Sequence, residues 1–306
     1  MTKFLQTLLD GLSVGALYAL IALGYTMVYG ILQFINFAHS DIFVLGAWVS
    51  FTIAVAAGWA DGSAPLVSSL LVLISAMIVC GATGFTIERL AYRPLRSAPR
   101  LNVLITAIGV SLFLQNVGQL KWFFGTQPQR MPALLPEVSL LEISGVRVYL
   151  VDLIGLTTCV LLMLGLEWLV YRTKLGRAMR AVSFDSKTAS LMGVPVDAVV
   201  SFTFVLGSSL AAAAGFLYAM KYPGLNQPAH ATWVLLGLKA FVAAVIGGIG
   251  NVRGAMLGGI LIGLIELFGA AYLSPNLRDI YVFTLLILVL LFRPTGILGN
   301  PVAEKV

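Results

Sequence analysis

Several stretches of this chain run for the thickness of a bilayer without a charge, which limits its folding options more than any other feature. Val103 to Leu120 contains no Asp, Glu, Lys or Arg, and Asp197 to Met220 is charged only at its edge. A run of about 18 or more such residues is what an α-helix needs to cross the hydrocarbon core. Of the 306 residues 59% are hydrophobic and 10% charged, against about 25% charged in a typical soluble domain. A soluble fold could not hide that much apolar surface. Lipid offers no water to exposed peptide groups, and the alternation expected of barrel strands is missing, so the spans are expected to be helices.

Apolar segments fall at 8–30, 41–58, 66–87, 102–123, 150–171, 198–220, 233–249, 255–273 and 280–292. The expected fold is therefore all-α: a polytopic integral membrane bundle of about 8–9 transmembrane helices, forming a single transmembrane domain over 1–306. The first segment contains Asp10 and runs past a signal-peptide core, so it is read as a retained span. Charge sets the orientation. With 88–101, 172–197, 250–254 and the C-terminus in the cytosol, twelve of the nineteen Lys and Arg lie inside. Six lie outside (Lys3, Lys121, Arg130, Arg147, Lys221, Arg278), Lys239 is left within the membrane, and the N-terminus falls outside. The loop 124–149, with three prolines, is expected to cap the outer face.

The net charge of +6 does not point to nucleic acid, because the basic residues gather at span ends rather than in a stripe among aromatics. Cys80 and Cys159 sit inside apolar spans and read as small core residues. There is no G-x-x-x-x-G-K-[ST] or H-E-x-x-H, and the one G-x-S-x-G, GLSVG at 11–15, lies inside the first apolar span rather than on a strand-to-helix turn, so neither ATP binding through a P-loop nor hydrolase chemistry is written here. No cofactor is expected in this chain.

The polar island 172–197 is longer than a turn requires. Arg172, Lys174, Arg177 and Arg180 form a basic run suited to lipid headgroups, and a short capped helix is expected over 185–193. Asp185 and Ser186 are N-cap types, Gly193 is a C-terminal left-handed type, and Pro195 follows. Such a helix on the cytosolic face is something for a partner to hold.

Polar residues inside the apolar segments are the other candidates. ILQFINFAHSD places Gln33, Asn36, His39, Ser40 and Asp41 in quick succession and reads as a helix break lining a water-filled cavity. His39 and Asp41 could form a proton relay, hold irregular backbone by hydrogen bonds, or line a path. Lys239 and Glu266 lie on consecutive segments at about the same depth, roughly 15 Å from the same surface, so they are expected to form a salt bridge. That pair is either structural or part of a path that meets a zwitterion. Glu88 and Glu167 lie near span ends and are expected to snorkel to the interface. Glycines such as those of GGIGNVRG read as close helix packing, or as a hinge or tight corner.

The stretches ALYALIALGYTMVYG (16–30), INFAHSD (35–41), IERLAYRPLR (87–96), GLKAFVAAVIGGIGNVRGAMLGGILIG (237–263) and LLILVLLFRPTGILG (285–299) together resemble the LivH-type permeases of branched-chain amino acid ABC importers. The resemblance implies a bacterial inner-membrane subunit that forms the path for leucine, isoleucine, valine or a related small solute. Its partners would be a LivM-type permease, two cytosolic ATPases carrying ATP-Mg, and an extracytoplasmic binding protein. It also implies an ATPase-docking element in KTASLMG: Lys187, Ala189, Leu191, Met192 and Gly193. Ala189 and Gly193 match the A-x-x-x-G spacing of the importer coupling motif, while Lys187 stands where that motif is usually acidic. Ser40-Asp41 stands where many relatives carry Gly-Glu. The residues alone leave one rival, an ion-coupled secondary amino acid transporter using Asp41, His39 and Glu266, although no inverted repeat is visible.

Overall fold

The computed structural model describes residues 2–60, 66–96, 98–136, 138–143 and 146–299. The expected tail with Lys305 lies outside the described residues. The long helices are α1 (Thr2–Leu32), α2 (His39–Ala56), α3 (Leu66–Ile87), α4 (Arg100–Gly118) and α5 (Leu150–Arg172). Two short helices follow, α6 (Lys174–Phe184) and α7 (Ser186–Leu191), then α8 (Val196–Lys221), α9 (Ala231–Gly247), α10 (Val252–Tyr272) and α11 (Arg278–Phe292). Among the described residues eight helices are long and apolar enough to cross a membrane, and the 17-residue α9 is a shorter ninth. At about 1.5 Å per residue α9 still covers roughly 25 Å. The protein is a multi-pass helical membrane bundle.

The helices α1 and α8 form its centre, and both are rich in small residues. A Cβ on Gly259 of α10 would lie 2.4 Å from Ala19 Cα of α1, and one on Gly46 of α2 would lie 2.4 Å from Ala212 Cα of α8. With no hydrophobic drive between helices in lipid, such close backbone contact supplies the dispersion that holds them. The periphery is looser. The faces of α4, α5 and α11 are largely exposed, which suits helices that meet lipid or another subunit.

One end of the bundle is basic. Ser183 Oγ of α6 donates to the Gly30 carbonyl, and Asn251 Nδ2 donates to the Leu298 carbonyl at 2.7 Å. The 248–251 turn is a tight corner: Gly248 and Gly250 take φ +108° and +93°, and Ile297 and Leu298 donate backbone bonds to Ile246 and Gly247. At the opposite end Lys221 joins Asp152 and donates to Ser13 Oγ at 3.2 Å, tying α8 to α5 and α1. There the loop 124–149 contributes β1 (Gln129–Arg130), antiparallel to β4 (Gly224–Leu225), and a hairpin of β2 (Ser139–Ile143) and β3 (Val146–Tyr149).

Three expectations change. The 102–123 segment ends as a helix at Gly118, because Gln119 to Phe124 turn back on themselves. The polar island holds two helices, not one. Its basic run lies mostly within α6, whose Gly176, Met179 and Val182 are buried. Arg180 donates to the Val170 carbonyl and lies 5.4 Å over Tyr171, while Arg172, Lys174 and Arg177 are exposed. Glu88 does not snorkel: it is fully buried, held by Arg96 and by Ser201 Oγ at 2.5 Å.

Candidate functional site

The break between α1 and α2 is built from the residues singled out in sequence. Gln33 takes φ +56°, a left-handed conformation unusual outside glycine, and ends α1. Its side-chain amide donates to the Gly30 carbonyl at 3.1 Å. Asn36 then organises the turn: its Oδ1 accepts from Ala38 N at 3.1 Å and from Tyr92 Oη at 2.5 Å. Tyr92 belongs to a single π-helical turn, Glu88–Tyr92, that follows α3. Such turns often mark functional points in a helix.

His39 and Asp41 open α2 on different faces. The His39 ring packs against Gly24 of α1, its Nε2 lies 3.2 Å from the Ile21 carbonyl, and Tyr25 meets it edge-on at 4.7 Å. Asp41 Oδ1 accepts from Gln115 Nε2 of α4 at 2.9 Å. No bond joins His39 to Asp41, so the proton relay is not formed. Two residues apart on a helix they are about 200° apart, and each finds a different neighbour.

Lys239 and Glu266 meet as their depths require, with Nζ 3.0 Å from Oε1, both buried. The cluster is larger than the pair. Tyr18 Oη donates to Glu266 Oε2 at 2.8 Å, Asp279 Oδ1 lies 2.6 Å from Lys239 Nζ, and Arg278 Nε lies 3.9 Å from Glu266. Lys239 and Glu266 thus neutralise each other where they are buried, and Asp279 and Arg278, half-exposed in the first turn of α11, extend the network towards the end of the bundle. This group is separate from the helix break. Gly237 of α9 packs on Ser40, while Lys239, on the other side of α9, points at α10 and α11. The six candidate path residues therefore fall into two clusters, with no hydrogen bond or ion pair between them among the described residues.

At the basic end, Arg96 joins Glu88 to Asp197, with Nη1 2.5 Å from Asp197 Oδ1, and Arg93 also pairs with Asp197. This ties the end of α3 to the start of α8, just after α7. The caps of α7 are the expected ones. Asp185 Oδ1 accepts from Lys187 N and Thr188 N at 3.0 and 3.3 Å. Gly193, at φ +82°, donates to Ser190 O, and Val194 N donates to Ala189 O, the paired bonds of a Schellman end. Ala189 is buried, Lys187 is exposed, and Leu191 and Met192 are 88% and 81% exposed. Glu167, half-buried, pairs with Arg253 at 2.7 Å.

Sequence reasoning missed Tyr18, Tyr92, Gln115, Ser201 and Asp279. Only Gln115 carried a usable signal, a polar amide within the uncharged run of α4.

A family model for the permease component of branched-chain amino acid transport systems matches residues 7–290. The chain is 45% identical to the high-affinity branched-chain amino acid transport system permease protein BraD of Pseudomonas aeruginosa, covering 99% of this chain and 98% of that one. It is 42% identical to the corresponding LivH proteins of Salmonella typhimurium and Escherichia coli, with the same coverage. No solved structure matches it. The relatives are transport permeases, which does not favour the ion-coupled secondary transporter. The chain belongs to the family of permease components of branched-chain amino acid transport systems.

Proposed function

We propose that this chain is one of two membrane subunits of an ATP-driven importer and forms part of the path for leucine, isoleucine, valine or a closely similar solute. Family membership and the names of the BraD and LivH relatives support the substrate class. The observation that carries the mechanism is α7. It is capped at both ends, seated on the bundle by Ala189, and exposes Leu191, Met192 and the neighbouring Phe184 at the basic end. Apolar side chains held out on a rigid element suit docking into a groove of another protein. Lacking a P-loop of its own, the chain would take its drive from two cytosolic ATPases carrying ATP and Mg. A LivM-type permease would cover the exposed helices, and an extracytoplasmic binding protein would deliver substrate to the other end. The positive-inside rule supports a bacterial inner-membrane orientation with the basic end and the C-terminus in the cytosol.

In this mechanism ATP closes the ATPase pair and moves α7. Its motion passes to α8 and α3 through Asp197, Arg96 and Glu88, and the permease pair switches the side its path faces. Gln33, Asn36, His39 and Asp41 border the path at the helix break, while Lys239 and Glu266 hold the helices around it. Replacing Leu191 and Met192 by Asp should abolish uptake in proteoliposomes of the complete transporter, while the chain still inserts and pairs with its permease partner. Uptake that survives the double substitution would remove the docking assignment.

A further inference from the structure

Asp41 is the exception among the buried carboxylates of this bundle. Glu88 and Glu266 have basic partners in Arg96 and Lys239, as the half-buried Asp152 has in Lys221. Asp41 is only 7% exposed, and no Lys, Arg or His lies within ion-pair distance of it among the described residues. Its Oδ1 is held by Gln115, and its Oδ2 is buried with no hydrogen-bond partner. A lone carboxylate at membrane depth is costly, so such residues face a partner or a water-filled cavity.

The surroundings indicate which. Gln115 Nε2 also lies 3.2 Å from Ser111 Oγ, and Gln119 Nε2 donates to the Gln115 carbonyl at 3.4 Å. Ser111 and Gln115 are spaced i, i+4 on one face of α4, and Gln119 caps its end just beyond them. They form a half-buried polar seam on a helix that otherwise exposes Leu112 and Phe113. Tyr92 Oη is already committed to Asn36 Oδ1, and the Tyr25 ring packs edge-on against His39, so neither serves Asp41. The site thus holds a carboxyl with one open oxygen and no cation paired with it among the described residues.

We infer that Asp41, with Gln115 and Ser111, binds the ammonium group of an amino acid in transit. The inference rests on the importer reading above and assigns one contact within it. It selects solutes with a free ammonium over neutral amides or urea, since those would leave Oδ2 uncompensated.

The test uses the complete transporter in proteoliposomes, with leucine as substrate. Asp41→Asn should lower uptake about tenfold or more, equivalent to losing one charge-assisted contact. Asp41→Glu should restore most of it. Stimulation of ATP hydrolysis by the loaded binding protein should persist in both variants, which a merely misfolded subunit would not allow. A second readout is independent of transport. In a Ser111→Cys variant, a cationic methanethiosulfonate should react about tenfold faster than an anionic one, and Asp41→Asn should erase that preference. Cys80 and Cys159 are buried, and the chain without Ser111→Cys serves as the blank. Equal reaction with both reagents, or full uptake by Asp41→Asn, would overturn the inference; a carboxyl that merely holds a proton gives the former result. If the unaltered complex took up no amino acid with its ATPases and binding protein present, the importer reading would fail. The thiol chemistry would still decide the charge of the site.

Discussion

Lys239 Nζ lies 3.0 Å from Glu266 Oε1, joining α9 to α10 inside the membrane. Asp279 and Tyr18 complete the charge and hydrogen-bond balance from α11 and α1. Removing one member should therefore cost more than removing the pair. Lys239→Met should destabilise the solubilised protein by about 3–5 kcal/mol, because it strands a buried carboxylate. Adding Glu266→Gln, which can still accept from Tyr18, should recover much of that loss in thermal unfolding. A double variant no more stable than Lys239→Met would contradict charge compensation as the role of this pair.

Tyr92 and Asn36 join the π turn after α3 to the helix break. Tyr92→Phe removes only the hydroxyl and should cost about 1 kcal/mol. The loss should vanish in an Asn36→Ala background, giving a coupling energy of about 1 kcal/mol in a double-mutant cycle. Independent, additive effects would mean that the two residues support the fold separately.

The contact between α1 and α10 leaves no room for a side chain at Gly259, where a Cβ would fall 2.4 Å from Ala19 Cα. Gly259→Ala should lower stability by about 1–3 kcal/mol, since backbone must move apart. At Gly165 of α5 nothing lies within 4 Å, so Gly165→Ala should not lower stability and should raise it by up to about 1 kcal/mol through helix propensity. Thermal unfolding in one detergent compares the two directly.

The order of α7 depends on Asp185 and Gly193. Asp185→Ala should weaken the helix by about 1 kcal/mol. Amide exchange over 186–191 should then quicken roughly fivefold, a factor matching that energy. Protection in α1 and α8 should not change. Gly193→Ala should act in the same direction, because φ +82° strains any residue with a Cβ. If α7 is the docking element, both variants should also reduce coupled ATP hydrolysis.

Much of this was legible in the chain. The spans follow from uncharged runs, because a helix satisfies its own peptide groups and its length is set by the bilayer. The caps of α7 are local, so Asp185 and Gly193 announced them within nine residues of sequence. Lys239 and Glu266 could be matched because they sit on consecutive helices, where counting from the shared turn fixes depth. The same counting cannot say which way a side chain turns. It placed His39 and Asp41 side by side, whereas α1 takes one and α4 the other.

What the sequence determined by itself is therefore whatever is set by hydropathy and short-range hydrogen bonding: class, most of the spans, and the capped helix. Only the tertiary structure decided which polar groups neutralise one another. Tyr18 reaches Glu266 across 248 residues, Ser201 reaches Glu88 across 113, and Gln115 reaches Asp41 across 74. Those pairings depend on which helices lie side by side and how each is rotated. Backbone contacts between small residues set that arrangement, and no period within a single helix encodes it.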